Sequence, residues 1–400
     1  MEKIYYENQY IKDFVCEIEE VKEADGKFHV VLDKTAFFPG GGGQHEDVGH
    51  IDGLQVLEVY EEDGVIYHVM DKKPNRIHKV KASIDWENRF DGMQQHLAQH
   101  VLSGCFFSMF NANTVGFHMG KEISTVDIEG ILTEETIRKA EKAANDVIRR
   151  NLNVQFLTPT KSELKKIRLR RALPKTNEQI RVVVIEDLDI NACCGVHPNS
   201  TLELQAIKIR RWEKHKGATR IEYVAGGRAI EDYFDKDSFT REVCRYLNCS
   251  SEDAIKAIQN LSNTNKGLYM ENKKIKAIVG DYEIKTMVEE AEMAGEALII
   301  KNVYENEDTK YISKIANKIV DENKAVVLFA SINEDKVNLV FMCSKNLKGI
   351  SMNDLLKDAI TLIDGRGGGS NFAAQGAGKN SSNLNSLMDY AIMKIKNLLG

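Results

Sequence analysis

The sequence predicts an α+β protein of several domains, on three observations. Short apolar runs separated by turn residues fill the first 84 positions. A proline-free stretch with helical periodicity begins at Trp86. Helical and strand signals then recur in separate blocks to the end of the chain. At 400 residues the chain is too long for one core. Its 42% hydrophobic and 28% charged residues are ordinary for a globular protein.

Residues 1–84 read as a small N-terminal β-barrel. Phe28–Leu32 precedes a glycine-rich loop, Leu54–Tyr60 and Val65–Met70 flank the turn Glu61-Glu62-Asp63-Gly64, and His78–Ile84 alternates apolar with polar residues. The run Gly40-Gly41-Gly42-Gly43 reads as a surface loop.

Residues 85–230 read as an α+β domain. Phe90, Met93, Leu97 and Val101 mark a helix over Trp86–Phe110, and a second helix covers Thr133–Asn151. Strands follow at Ile180–Ile185, Leu202–Ile209 and Thr219–Val224, the last two turned by Lys214-His215-Lys216-Gly217. Residues 231–297 form a helical connector. Phe239, Val243, Tyr246, Ala254, Ile258, Leu261, Leu268, Ile275, Ile278 and Tyr282 approximate heptad spacing, interrupted by asparagines. The connector is either a coiled hairpin or an amphipathic pair packed on a domain.

Residues 298–400 read as a C-terminal α/β domain. Ala325–Ile332 and Val337–Ser344 flank Asn333-Glu334-Asp335-Lys336, and Ser351 caps a helix to Ile363. Gly365-Arg366-Gly367-Gly368-Gly369-Ser370 follows, then a final helix over Ser381–Leu399.

Two segments carry the chemistry. His96-Leu97-Ala98-Gln99-His100 sets two imidazoles on one helix face, and Cys193-Cys194-Gly195-Val196-His197 sets a thiolate and an imidazole four residues apart. Three His and one Cys suit one tetrahedral Zn2+ per chain. Cys193 gives the four-residue step, although the sequence alone does not choose between Cys193 and Cys194. A zinc peptidase needs Glu after the first His, and Leu97 stands there. Four protein ligands leave no position for water. Catalysis then needs a weak or displaced ligand, or a zinc that orients the substrate. In Thr35…Gln44 the glycines admit close backbone approach, while Thr35 and Gln44 supply a hydroxyl and an amide for reading a small polar substrate.

The net charge of −6 hides two basic runs. Lys161, Lys165, Lys166, Arg168, Arg170, Arg171, Lys175 and Arg181 stand against Glu163 and Glu178. Lys208, Arg210, Arg211, Lys214, Lys216, Arg220 and Arg228 stand against Glu213 and Glu222. Both flank the Cys-His segment and point to a polyanionic substrate. No apolar run reaches the ~18–20 residues of a bilayer span, and the N-terminus lacks a signal-peptide pattern, so no membrane partner is expected. Seven irregularly spaced cysteines do not form a disulfide framework, which fits a reducing cytoplasm.

Thr35…Gln44 with Asp47 and Gly49, then His96…His100, then Cys193…His197, resembles the editing domain of alanyl-tRNA synthetase and its free-standing AlaX relatives over residues 1–230. Gly365–Ser370 with Ala374-Gln375-Gly376-Ala377-Gly378 resembles the DHH-associated C-terminal domain of that synthetase. The long AlaX form fits best. Phe38 departs from a usual Tyr, and Cys193-Cys194-Gly195-Val196-His197 from the usual Cys-Gly-Gly-Thr-His.

The resemblance implies a trans-editing hydrolase that cleaves the aminoacyl ester of Ser-tRNA(Ala), and of Gly-tRNA(Ala). Zinc would sit on His96, His100, Cys193 and His197. Thr35 would bond the serine hydroxyl, and Gln44 with Gly40, Gly41, Gly42 and Gly43 would hold the ester or terminal ribose. Lys165, Lys166, Arg170, Arg171, Arg210 and Arg211 would contact acceptor-stem phosphates. Arg366, Gly367, Gly368 and Gly369 would serve the tRNA elbow, or the C-terminal domain or connector would form a homodimer. Neither ATP binding nor tRNA charging is expected of a chain that opens on the editing barrel. The absence of Asp-His-His argues against DHH phosphoesterase chemistry. Two alternatives stand: a non-catalytic tRNA-binding protein with structural zinc, or a zinc deacylase of another misacylated tRNA.

Overall fold

The computed structural model describes residues 1–173, 179–334 and 336–399. Lys175 and Glu178 of the first basic run, and Asp335 of the C-terminal hairpin, lie outside the described residues. The fold is mixed α+β and divides into two compact units, Met1–Ser251 and Glu252–Gly400. Among the described residues no helix is long and apolar enough to cross a membrane.

The first unit opens with a seven-stranded antiparallel sheet. Its order in space is Asp13–Cys16, Val80–Ile84, Gly49–Ile51, Leu54–Glu62, Val65–Met70, Lys27–Leu32, Ile18–Ala24. The hairpin at Asp63-Gly64 turns through two residues with positive φ, the geometry whose twist matches paired strands. Alternate residues such as Val30, Leu32, Val56 and Ile66 meet Phe37 and Phe38 in one apolar cluster. The two edge strands, Asp13–Cys16 and Ile18–Ala24, are not paired with each other among the described residues.

Helix α1, Trp86–Phe110, is capped by the Asp85 side chain accepting from the Asn88 N–H and ends at left-handed Asn111. It is buried almost continuously from Gly92 to Phe106, which explains its apolar content on every face. Helix α2, Glu134–Arg150, is capped by Thr133 and stopped by Asn151. Both helices pack on a four-stranded sheet of order Thr114–Met119, Ser124–Glu129, Ala218–Ala225, Ile207–His215. A smaller sheet joins Val154–Leu157, Val182–Ile185 and Asp189–Ala192.

One local feature is misplaced by the sequence reading and another is unmarked. Leu202–Leu204 lies in a 3-10 turn capped by Ser200, and the strand starts only at Ile207. A one-turn helix α3, Lys161–Leu164, forms on a Thr160/Glu163 capping box inside the basic run. Helix α4, Gly227–Leu247, ends the unit.

The second unit starts with the long helix α5, Ala254–Glu289. Helix therefore stops short of residue 297, where Glu292–Ala294 turns back on Ala297–Glu305. A six-stranded sheet follows, in the order Glu292–Ala294, Ala297–Glu305, Ala325–Asn333, Lys336–Cys343, Ala373–Gly378, Arg366–Gly369. Helix α6, Thr309–Glu322, links its one parallel pair. Along the central strand Val326, Leu328 and Ala330 face the cluster built on α7, Met352–Ala359, and α8, Leu384–Leu399. Ala325, Val327 and Phe329 face the cluster of α5 and α6. A strand covered on both faces is apolar throughout. Arg366–Gly369 is a paired edge strand: a Cβ on Gly367 would lie 2.6 Å from the Gly376 Cα and one on Gly369 would lie 2.2 Å from the Ala373 carbonyl oxygen.

Candidate metal centre

Helical periodicity sets His96 and His100 one turn apart on the buried face of α1, with ring centroids 5.3 Å apart. The strand Asp189–Ala192 delivers Cys193 to the same point, and the following turn brings His197 back to it. Each of the four residues offers a ligand atom within 4.8 Å of the others. The Cys193 Sγ lies 3.5 Å from His96 Nε2 and 3.7 Å from His197 Nε2. Sulfur and nitrogen bound tetrahedrally to one zinc lie about 3.6 Å apart. The Nε2 of His100 is buried without a hydrogen-bond partner among the described residues. This donor set fits one metal ion, and it places Cys193 rather than Cys194 in the cluster.

The ring orientations are fixed from behind. His100 Nδ1–H donates to Asp189 Oδ2 at 2.8 Å, and His96 Nδ1–H donates to Gln44 Oε1 at 3.0 Å. Both bonds select the tautomer that turns an Nε2 lone pair to the centre. Gln44 Oε1 also accepts the Val196 N–H at 3.0 Å, so one amide oxygen ties the glycine loop to both ligand segments. A Cβ on Gly195 would lie 2.4 Å from the His96 ring, so only glycine lets the second segment approach.

Burial alone would raise the Cys193 thiol, but His96 and His197 outweigh it and hold it well below the usual thiol range. Burial lowers His197 to about 3, keeping it neutral. Burial would also lower His100, yet the Asp189 and Cys193 contacts prevail and raise it to about 9. A cation at the centre competes with that proton.

A cavity of about 360 Å³ opens beside the ligands. Gly42, Phe117, Arg171, Arg181, Asn191 and Cys194 contribute to its wall. Phe117 stacks on His96 with centroids 5.2 Å apart. The Gly40–Gly43 loop, with positive φ throughout, borders the cavity through Gly42. It is anchored by Arg89, a buried cation paired with Asp47 that also donates to the Ala36 and Gln9 carbonyls.

Several expected contacts lie elsewhere. The Arg170 side chain is only 3% exposed and donates to Asp189 Oδ1 at 2.6 Å, so it supports His100 and presents no free charge to a phosphate. The Arg181 guanidinium sits over Tyr6 and Phe156 at 4.7 and 4.4 Å and donates to the Gly195 carbonyl. Thr35 is fully buried and does not line the cavity: its hydroxyl bonds His68 Nε2 at 2.8 Å and accepts the Phe37 N–H. Lys165, Lys166, Arg171 and Arg366 are exposed. Arg210 and Arg211 are partly neutralised by Asp232 and Glu213 at 3.2 Å. Asp189, Phe117 and the Tyr6–Arg181 pair are additions that no local motif marks.

Two regions match known domain families. Residues 180–222 match the threonyl and alanyl tRNA synthetase second additional domain, and residues 295–397 match the DHHA1 domain. The alanyl-tRNA editing protein AlaX-L of Pyrococcus horikoshii is 29% identical over 100% of this chain and 99% of its own length. The alanyl-tRNA editing protein Aarsd1 of Mus musculus is 28% identical over 89% of this chain and 85% of its own. The alanine–tRNA ligase of Methanobrevibacter smithii is 29% identical over 97% of this chain and 45% of its own. The two domains define a class, in which a synthetase-type second additional domain is joined to a DHHA1 domain. Within it the chain is similar from end to end to the long AlaX editing protein of Pyrococcus horikoshii.

Proposed function

We propose that this protein is a trans-editing hydrolase that deacylates mischarged tRNA(Ala), carrying serine and also glycine. The observation that carries the reading is the four-donor cluster opening on a cavity beside a glycine loop, in a chain similar throughout to named alanyl-tRNA editing proteins. In the reaction, water adds to the aminoacyl carbonyl carbon, and the bond to the terminal ribose oxygen breaks. That oxygen takes up a proton as the free amino acid leaves. His96, His100, Cys193 and His197 would hold Zn2+, which would orient the ester or, with one ligand weakened or displaced, supply Lewis-acid polarisation.

The chain's own residues do the positioning. Gln44 and Asp189 aim the two histidines of α1. Gly42 and Phe117 shape the wall that the ester meets. Thr35, set apart from that wall, positions the loop through His68 and Phe37 rather than touching serine. Lys165, Lys166 and Arg171 are exposed cations of the first run that would meet acceptor-stem phosphates, with Arg210 and Arg211 as weaker contributors. Arg366 and Gly367–Gly369 present an exposed edge strand for the tRNA elbow. We assign residues 1–84 and 85–230 to ester and acceptor-stem recognition, 231–297 to the connector, and 298–400 to the DHH-associated part. A cytoplasmic location and a homodimer complete the proposal.

Four protein donors also suit a structural zinc in a non-catalytic tRNA-binding protein. A panel of Ser-tRNA(Ala), Gly-tRNA(Ala), Ala-tRNA(Ala) and another mischarged tRNA separates the readings. Loss of serine or glycine with alanine spared supports editing, whereas tight binding without hydrolysis of any substrate supports the structural reading.

A further inference from the structure

The metal centre accounts for Gln44 and Asp189 but not for Arg181. This arginine is 8% exposed and lines the cavity beside the ligands. Arg89 and Arg170 are buried in the same unit, and each holds a carboxylate, Asp47 and Asp189. Among the described residues Arg181 holds none. Its guanidinium donates to the Gly195 carbonyl and lies over the rings of Tyr6 and Phe156. Tyr6 is itself fixed, its hydroxyl donating to the Cys194 carbonyl at 2.7 Å. One carbonyl occupies only one of the five N–H groups that a guanidinium carries. Among the described residues none that lines the cavity is acidic, while the exposed Arg171 adds a second guanidinium and Asn191 an amide. A desolvated cation without a counter-ion is costly to bury. The cavity is therefore prepared for an anion that arrives from outside.

We propose that Arg181 seats a phosphodiester, the one that carries the terminal adenosine of the acceptor end into the cavity. The inference deepens the editing reading and takes the identity of the nucleic acid from it. Three properties of the site select this anion. The N–H groups of a guanidinium form a planar fork, which matches the two unbridged oxygens of a phosphodiester. A phosphodiester is charged at every stage of the reaction, whereas the carbonyl oxygen of an ester gains charge only in passing and offers a single oxygen. Like charge also turns the α-ammonium of the bound amino acid away from Arg181, which leaves the fork to the nucleotide side of the ester. Tyr6 and Phe156 hold the guanidinium in place beforehand, so little side-chain freedom is lost when the anion binds.

Calorimetric titration of the full, zinc-loaded chain tests it with two probes: adenosine 5′-(methyl phosphate), which carries one phosphodiester, and adenosine, which carries none. The wild type is expected to prefer the phosphodiester about 10-fold. Arg181→Lys is expected to lose most of that preference, because lysine keeps the charge but not the fork. With Ser-tRNA(Ala) the same variant is expected to raise KM more than it lowers kcat. Zinc content and circular dichroism are read on the variant as well, since Arg181 also holds the Gly195 carbonyl. The wild-type comparison stands whether or not the variant folds. A wild type that binds both probes alike, a variant with its preference intact, a variant in which both probes weaken equally, or a fall in kcat at constant KM would each overturn the proposal. A wild type that prefers the phosphodiester yet deacylates no substrate would support the phosphate seat and sink the editing reading instead.

Discussion

Gln44 Oε1 lies 3.0 Å from His96 Nδ1 and accepts the Val196 N–H at the same distance. The glycine loop and the candidate metal centre are thereby joined through one side chain. The glycine run sets where Gln44 stands, and Gln44 sets which nitrogen His96 offers inward.

Gln44→Leu removes that acceptor at nearly constant volume. Metal affinity is expected to fall roughly 10–100-fold, with a parallel loss of deacylation. Competition with a chromophoric chelator measures the first. Unchanged metal affinity would show that His96 is oriented by packing alone.

Asp189 faces His100 on one side and Arg170 on the other, and all three side chains are buried. Asp189→Ala leaves the guanidinium without its carboxylate, so a stability loss of about 3–5 kcal/mol is expected in urea unfolding. Asp189→Asn together with Arg170→Gln is expected to recover part of that loss but not the metal affinity, because the acceptor that fixes His100 is weakened. Full recovery of both would reduce Asp189 to a packing residue.

Gly195→Ala pushes a methyl group into the space 2.4 Å from the His96 ring. The ring must move, and metal content is expected to fall while the fold persists. Elemental analysis of the purified variant checks this, and full metal content would contradict it.

The reach of the sequence follows from the range of each interaction. Helix α1 was legible to its ends because Asp85 caps it, its apolar residues repeat with helical period, and left-handed Asn111 stops it. The ligand quartet was legible because each half is a local four-residue step. Arg170 was misread as a surface cation because its partner Asp189 stands nineteen residues away, beyond any local pattern. The bond of Thr35 to His68 was not legible, because His68 reaches it only through sheet pairing. Gly367–Gly369 carried no strand signal, because glycine is rare in strands. Here the crossing of Gly376 and Ala374 admits nothing larger.

His68 gives a pH signature separate from the metal. Burial lowers it to about 4, and it stays neutral between Thr35 and the Val30 carbonyl. The unfolded chain protonates His68 near pH 6.5 and the folded chain only near 4. Its contribution is therefore complete above pH 6.5, declines as pH falls, and is lost below 4. Across that window it amounts to about 3 kcal/mol. Urea unfolding of wild type and His68→Gln at several pH values checks this. The wild type should lose more stability on acidification, and equal slopes would contradict the assignment.

The most direct test joins chemistry to the centre. Preformed Ser-tRNA(Ala) and Ala-tRNA(Ala) are offered to metal-replete wild type, His96→Ala and Cys193→Ala, with bound zinc measured on each sample. The account predicts one zinc per wild-type chain, rapid loss of serine with alanine spared, and loss of both zinc and deacylation in the two variants. Variants that lose zinc yet deacylate at the wild-type rate would contradict it.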